Sequence, residues 1–529
     1  MTAITRTLAA ATLSLGLVLN LPLQAQETPQ RGGTAILALA QDPPTVNPVL
    51  SSGIPDRQIG CIIYEPLINI SPDYKILPQL AKSMTISPDG KTYTFELNEA
   101  KWTDGQPFTS EDVRYSFQEV AAKFSPAFGP VARILDTIET PDPRKVIVKL
   151  KESFGPFVES LICLQGGSIL PSHLFRGTNP RENPATTSKP VGTGAFAMTE
   201  WKHGDFVRLA RNKDYYVPGK PYLDGVIGKV IPTTAGRIQA LRAGEVDQIR
   251  GLLPTELDII RATPGLQTVI TDGSPSMDLL FFNLRRKPFD DKRVRQALMM
   301  ATDRDYLFER AFFKFGRVGT QPFTTEIPWA VDPNLDYRKM YPFDPAKANA
   351  LLDEAGFKRG PDGKRFSASL LVWSNDYPEF TVAATAIKSM WQAVGVDANI
   401  ESVERASLVK RVFTDSDFDL SFQNYGSNYD PALGMARTYV TTSIGAIFGN
   451  ASGYSNPEMD ALFEKGQRGT DLEERGKYYR EAAQIGARDL PVITLSTRLA
   501  ADGASKRLHG IWGKIQTTSG SWADAWLEK

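Results

Sequence analysis

Residues Asp344–Gly356 begin and end a helix by local rules alone, and the same punctuation recurs along the chain. Asp344 can cap the first turn, and Pro345 occupies the first helical position, where its missing N–H costs nothing. Ala348, Leu351, Leu352 and Ala355 form one apolar face, and Gly356 stands where a left-handed C-terminal cap belongs. Asn456-Pro457-Glu458 starts a helix in the same way, and a third begins in Pro288–Leu298, with Asp290 as the expected cap and Val294, Ala297 and Leu298 facing inward. Thr109 and Asp112 have capping-box spacing, so a fourth starts there, directing Val113, Phe117 and Val120 to the interior.

Between these helices lie strand patterns. Thr34–Leu39 is a buried opening strand, and Asp89-Gly90 turns the chain into the alternating run Lys91–Leu97. Leu279–Leu284 and Leu490–Leu495 are apolar runs, the second positioned to cross back to the first domain. Pro190–Phe196 lacks the lysine and the full glycine spacing of a phosphate loop, and predicts a tight turn between strands. Trp102 is expected to pack at a domain edge. Strands alternating with helices define an α/β chain, and 529 residues exceed one core, so two or three domains are expected.

At the N-terminus, Arg6 precedes the apolar run Leu8–Leu19, which is short for a membrane span, and Leu23-Gln24-Ala25 is a cleavage site with a small final residue. A mature chain from Gln26 would be exported and soluble. Its 59 basic and 60 acidic side chains leave no basic field for nucleic acid or membrane. Cys61 and Cys163 are the only cysteines. In an oxidising compartment they can pair; as free thiols they would be small buried hydrophobes, and both readings stand. The three histidines, His173, His203 and His509, share no metal spacing, and no nucleophile elbow is present. Catalysis, a metal and a cofactor are therefore not expected.

Several segments resemble the peptide/nickel/oligopeptide family (family 5, cluster C) of extracellular solute-binding proteins that serve ABC importers. They are Tyr64–Leu67, Trp102–Val113, Pro190–Phe196, Phe282-Asn283, Pro288–Leu298, Asp303-Arg304, Asp344–Phe357 and Gly453–Asp460. The resemblance implies a two-lobed periplasmic-binding-protein fold (Venus flytrap) with an extra subdomain inserted in lobe one. The expected division is a signal peptide over 1–25, lobe one from 26–63, 184–277 and 493–529, the inserted subdomain over 64–183, and lobe two over 278–492. It also implies a periplasmic location, inner-membrane ABC permease subunits as partners and a monomer that closes on one small molecule.

In the peptide-binding relatives an Asp in a lobe-two loop meets the peptide's α-ammonium group. The equivalent position, counted back from Pro431, is Ser427, which has no charge. Burying an ammonium without a carboxylate costs several kcal/mol. The remaining residues of this stretch, Gln423, Asn424, Tyr425, Asn428 and Tyr429, are neutral donors, acceptors and rings, suited to a hydroxyl-rich solute. Asp430 resembles a position kept for structure. Ser51, Ser52, Gly53 and Ile54 match the lobe-one stretch that presents backbone to a ligand. Arg405 stands where an aromatic is common and, with Arg437 as a second candidate, would fork an anionic group. Trp373, after the strand Ser369–Val372, is a further candidate for the cleft.

On these grounds a saccharide, sugar phosphate or opine-like conjugate ranks first. A di- or oligopeptide ranks second and nickel third, since histidine is scarce. A periplasmic sensor or chaperone on the same fold is the reading from another class.

Overall fold

The computed structural model describes residues 28–51, 53–125, 127–373, 377–512 and 520–529, and of residues 271–275 and 378 the backbone alone. The expected signal peptide and Ser52 fall outside the described residues.

Two strands, Leu266–Phe282 and Val492–Ser505, organise the molecule. They pair antiparallel along most of their length, so one sheet of eleven strands runs through both lobes. In lobe one, Leu266–Thr271 lies against Ala500–Ser505, and the sheet continues through Gln248–Arg250, Thr34–Leu39, Gly225–Val230, Phe206–Arg211 and Phe196–Lys202. In lobe two, Ser276–Phe281 pairs with residues from Arg498 to Val492, and the sheet continues through Leu420–Gly426, Phe366–Val372 and Val396–Ser402. The register shifts between Thr271 and Ser276, where the chain passes from one lobe to the other. Such an interruption increases local twist.

The run Leu279–Phe282 is apolar without alternation because helices cover both faces of the lobe-two sheet. Leu280, Phe282, Leu370 and Phe422 pack under Lys292–Met300, Pro345–Glu354 and Pro378–Ala393. Leu279, Phe281, Leu371 and Tyr425 pack under Pro457–Gly466 and Leu472–Asp489 on the other side. Asp344, Asn456 and Asp471 cap their helices through their side chains. The cap before Lys292 is Asp291 and not Asp290: its carboxylate accepts from the Arg293 N–H at 2.8 Å, so the helix starts one residue later than expected.

Within 64–183, four antiparallel strands, Ala81–Ile86, Thr92–Leu97, Lys145–Leu150 and Leu135–Asp142, form a separate sheet. Thr109 and Asp112 make the expected start of a helix, and Val113, Phe117 and Val120 are buried. Trp102 is buried and its Nε1–H points to Asp112. Cys61, in the helix Ile54–Ile63, is joined to Cys163, tying that helix to the subdomain.

Pro190–Phe196 does not connect two strands. It leads from the short helix Pro184–Thr187 into Phe196–Lys202, with the glycines against the end of the Cys61 helix. A Cβ on Gly192 would sit 1.9 Å from the Ile63 carbonyl oxygen, so only glycine fits.

The lobes are closed on one another. Gly155 N–H donates to the Gln467 carbonyl at 2.7 Å, and Gly469 N–H to the Ser153 hydroxyl at 2.9 Å. Tyr429 of lobe two is buried in the lobe-one core.

Candidate functional site in the interlobe cleft

The strand Leu420–Gly426 ends at the boundary between the lobes, and after it Tyr429 and Leu433 pack into the lobe-one core. Asn428 and Tyr429 both take positive φ, 51° and 65°, which is costly for Tyr and common for Asn. The reversal aims Tyr429 into lobe one and brings Asp430 to the start of the short helix Pro431–Gly434, where its side chain accepts from the Ala432 N–H at 2.9 Å. Gly434 lies under this turn: a Cβ there would be 2.0 Å from the Ser427 carbonyl oxygen.

The predicted residues separate by position. Ser427 is fully buried, and its hydroxyl has no hydrogen-bond partner among the described residues. Tyr425 is buried with its hydroxyl on the Gly449 carbonyl, 3.2 Å away. The Arg437 guanidinium lies 4.6 Å from the Tyr425 ring centroid. Arg437 is largely buried, burial pulls its pKa below the ordinary range, and it has no carboxylate within ion-pair distance among the described residues. Asn424 donates to Ser276 at 3.1 Å and to Asp278 at 2.9 Å, where the Arg498–Asp278 ion pair holds the strands Leu266–Phe282 and Val492–Ser505 together. Asn428 donates to the Leu433 carbonyl at 3.2 Å. Gln423 is turned into lobe two, where its amide meets the Ser421 hydroxyl at 2.8 Å, so it is not brought to the cleft.

Arg405 is exposed at the start of the helix Arg405–Val409. Its guanidinium lies over two rings, 5.1 Å from the Trp373 centroid and 5.8 Å from that of Phe448. On the lobe-one side, the Ser51 hydroxyl donates to Asp56, and Gly53 caps the helix Ile54–Ile63. A Cβ at Gly53 would lie 2.7 Å from Asp56 Oδ2, so the Asp56 side chain would have to shift to admit one. Ile54 is exposed. Arg57, one turn on, donates Nε–H to the Ser51 carbonyl at 3.3 Å; burial lowers its pKa, opposed first by the Asp56 charge and then by Tyr429 of the other lobe.

Sequence reasoning missed an ionic cluster beneath the turn. Arg475 donates to Asp430 at 2.6 Å, both fully buried. The Arg475 guanidinium is also stacked on Trp329, 4.9 Å from the ring centroid. From lobe one, Glu159 enters the same cluster, with Oε2 unpartnered among the described residues. Burial, and then the Asp430 charge, push the Glu159 carboxyl up to about 8. No local pattern announces such a cluster, since its members are far apart in sequence.

A two-lobed α/β molecule closed over a turn rich in neutral polar groups and arginine is a binding protein of the hinged type. The family model of bacterial extracellular solute-binding proteins, family 5 Middle, matches residues 75–446, and the chain belongs to that family. It is 26% identical over 486 residues to the oligopeptide-binding protein AppA of Bacillus subtilis, covering 88% of this chain and 86% of AppA. It is 26% identical over 459 residues to a dipeptide-binding protein of Pseudomonas aeruginosa, covering 82% of this chain and 84% of that protein. Among solved structures, the periplasmic binding protein AgaA from A. tumefaciens R10, in complex with agropinic acid, superposes with a TM-score of 0.74 at 25% identity, covering 94% of this chain and 99% of AgaA. The chain is accordingly the solute-binding component of an ABC importer.

Proposed function

We propose that this protein captures one short peptide or peptide-like conjugate per chain in the interlobe cleft, holds it by a carboxylate, and hands it unchanged to inner-membrane permease subunits. It would work as an exported monomer in the periplasm, with lobe one built from 26–63, 184–277 and the tail after Arg498, the subdomain from 64–183 and lobe two from 278 to Arg498, since Ile493 and Leu495 pack in the lobe-two core and not in lobe one as the 493 boundary expected. The observation that carries the reading is Arg437. A largely buried guanidinium without a carboxylate partner among the described residues, over the Tyr425 ring at the turn between the lobes, suits an anionic group of a solute. Arg405, over Trp373 and Phe448, would guard the entrance.

Peptides now stand ahead of saccharides and sugar phosphates, because the relatives AppA and the P. aeruginosa protein are named for peptides. An opine-like conjugate is the second reading. It is favoured by Ser427, which offers a hydroxyl where a free α-ammonium would need a carboxylate.

Denaturing the purified protein and identifying the released molecule by mass spectrometry distinguishes these. Calorimetry with that molecule should give a stoichiometry near one. Recovery of a neutral sugar, or of a chemically altered product at multiple turnovers, would overturn the proposal.

A further inference from the structure

Buried arginines with structural roles have a recognisable form in this molecule. Arg295 spends all three guanidinium nitrogens on the carbonyls of Phe289, Asp290, Asp489 and Leu490. Arg304 and Arg237 are likewise held by backbone carbonyls. Arg437 has the form of Arg304, two carbonyl bonds and one nitrogen without a partner among the described residues, but lies at the turn between the lobes; Arg57 is held less fully. Arg57 is bonded through Nε alone, to the Ser51 carbonyl at 3.3 Å. Arg437 reaches the Gly434 carbonyl at 3.1 Å and, at the limit of a hydrogen bond, that of Gly426 at 3.4 Å. Both Nη groups of Arg57 and Nη1 of Arg437 donate to nothing among the described residues, and neither guanidinium has a carboxylate within ion-pair distance. The neighbouring Asp56 carboxylate is engaged by the Ser51 hydroxyl. Burial lowers the pKa of both arginines; the charge of Asp56 offsets part of this for Arg57, whereas Arg437 has only Tyr425 to oppose it.

The two cations come from opposite lobes and flank one turn. Arg57 lies in lobe one beside Tyr429, and Arg437 in lobe two against Gly426 and Gly434. Ser427, in the same turn, has a buried hydroxyl with no partner among the described residues. From Gly426 to Tyr429 is three peptide units, at most roughly 10 Å of chain.

Building on the peptide reading above, we propose that the solute is acidic at two points. Arg57 and Arg437 each take one carboxylate, so that the site selects peptides or conjugates with two or more carboxylates, such as those ending in or containing Asp or Glu. Each carboxylate then bonds to a different lobe. The doubly charged solute is held fully only in the closed form, which is the differential affinity that closure requires.

The test uses a tryptic casein digest and the same digest with its carboxylates methyl-esterified. Unfolded, solute-stripped and refolded protein is incubated with each, separated from unbound peptides by gel filtration, and the retained peptides are sequenced by mass spectrometry. The wild type should retain peptides enriched in Asp and Glu over the digest as a whole, and at least about tenfold less of the esterified material. Arg57→Gln and Arg437→Gln should each lose the enrichment for a second carboxylate. The lysine variants, which keep the charge without the planar fork, should retain part of it. If Arg437→Gln is destabilised in a thermal melt, Arg57→Gln decides alone. A retained pool that mirrors the digest, or equal retention of esterified peptides, would overturn the two-arginine assignment while leaving a peptide receptor intact. So would unchanged selection by Arg57→Gln at wild-type melting temperature. Retention of nothing from either digest would overturn both.

Discussion

Single residues around the cleft turn carry requirements that their neighbours impose. Gly434 has no room for a side chain, because the Ser427 carbonyl occupies the space a methyl would need. Gly434→Ala should therefore displace the turn that carries Ser427, Asn428 and Tyr429. It should cost about 1–3 kcal/mol in urea denaturation, with a parallel loss of solute affinity by calorimetry. Arg475 makes a stronger demand. Its truncation would leave Asp430 buried beside Glu159 without a counter-charge. Arg475→Ala should destabilise by about 3–5 kcal/mol in chemical denaturation, and the double variant Arg475→Met/Asp430→Asn should recover much of that loss. If the double variant were as unstable as the single one, the pair would matter for packing and not for charge. Glu65 illustrates the same physics inside lobe one: burial pushes its carboxyl up to about 7, although the Tyr215 hydroxyl donates to it at 2.7 Å.

At the scale of elements, the chain's punctuation was its most readable layer. Proline-started helices, side-chain caps and alternating strands depend on neighbours a few residues apart, so Asp344, Asn456 and Thr109 could be interpreted in place. The exception, Asp291 for Asp290, arose because two adjacent aspartates offer the same cap and only the backbone path chooses between them. Residues whose roles depend on distant partners were opaque. Gln423 looked like a cleft residue because it belongs to the right strand, yet it lies one pair of residues deeper than Tyr425 on the same face, where helices cover the sheet and its amide meets Ser421. Arg57 gave no sign at all, since its significance lies in Tyr429, supplied from the opposite lobe. The link between the helix Ile54–Ile63 and the subdomain is a further element-scale feature. The bond closes a loop of 102 residues, for which chain entropy gives about 4–5 kcal/mol. Cys61→Ser/Cys163→Ser should lower stability by an amount approaching that figure in guanidinium titration, and reduction of the wild type should reproduce it.

For the whole molecule, the closed arrangement is linked to pH through Glu159. In the closed form burial, and then the Asp430 charge, push its carboxyl up to about 8 despite Arg475, against an ordinary value of 4.5 where water reaches it. Between those limits the closed state binds the extra proton, so closure is favoured at the lower pH and weakened as pH rises toward 8. Solute affinity should fall across that window, by no more than tenfold per pH unit for one proton. Glu159→Gln should flatten the dependence and hold the affinity at its low-pH level. Calorimetry from pH 5 to 9, with small-angle scattering to follow compaction, would check both. An identical pH profile in the variant would remove Glu159 from the account.

The two long strands have a consequence for how such a molecule can be rebuilt. Met277 and Thr497, where the chain enters and leaves the second lobe, are directly opposed in the sheet. The lobe is thus a cassette whose two ends are already side by side, and grafting it between relatives would require neither a new linker nor a closed gap. A chimera that takes its cassette from a relative of known ligand would inherit Ser427 and Arg437, or their counterparts, as one piece. The recipient's half would keep Arg57. Ligand preference in such hybrids would then report which half of the clamp sets the choice.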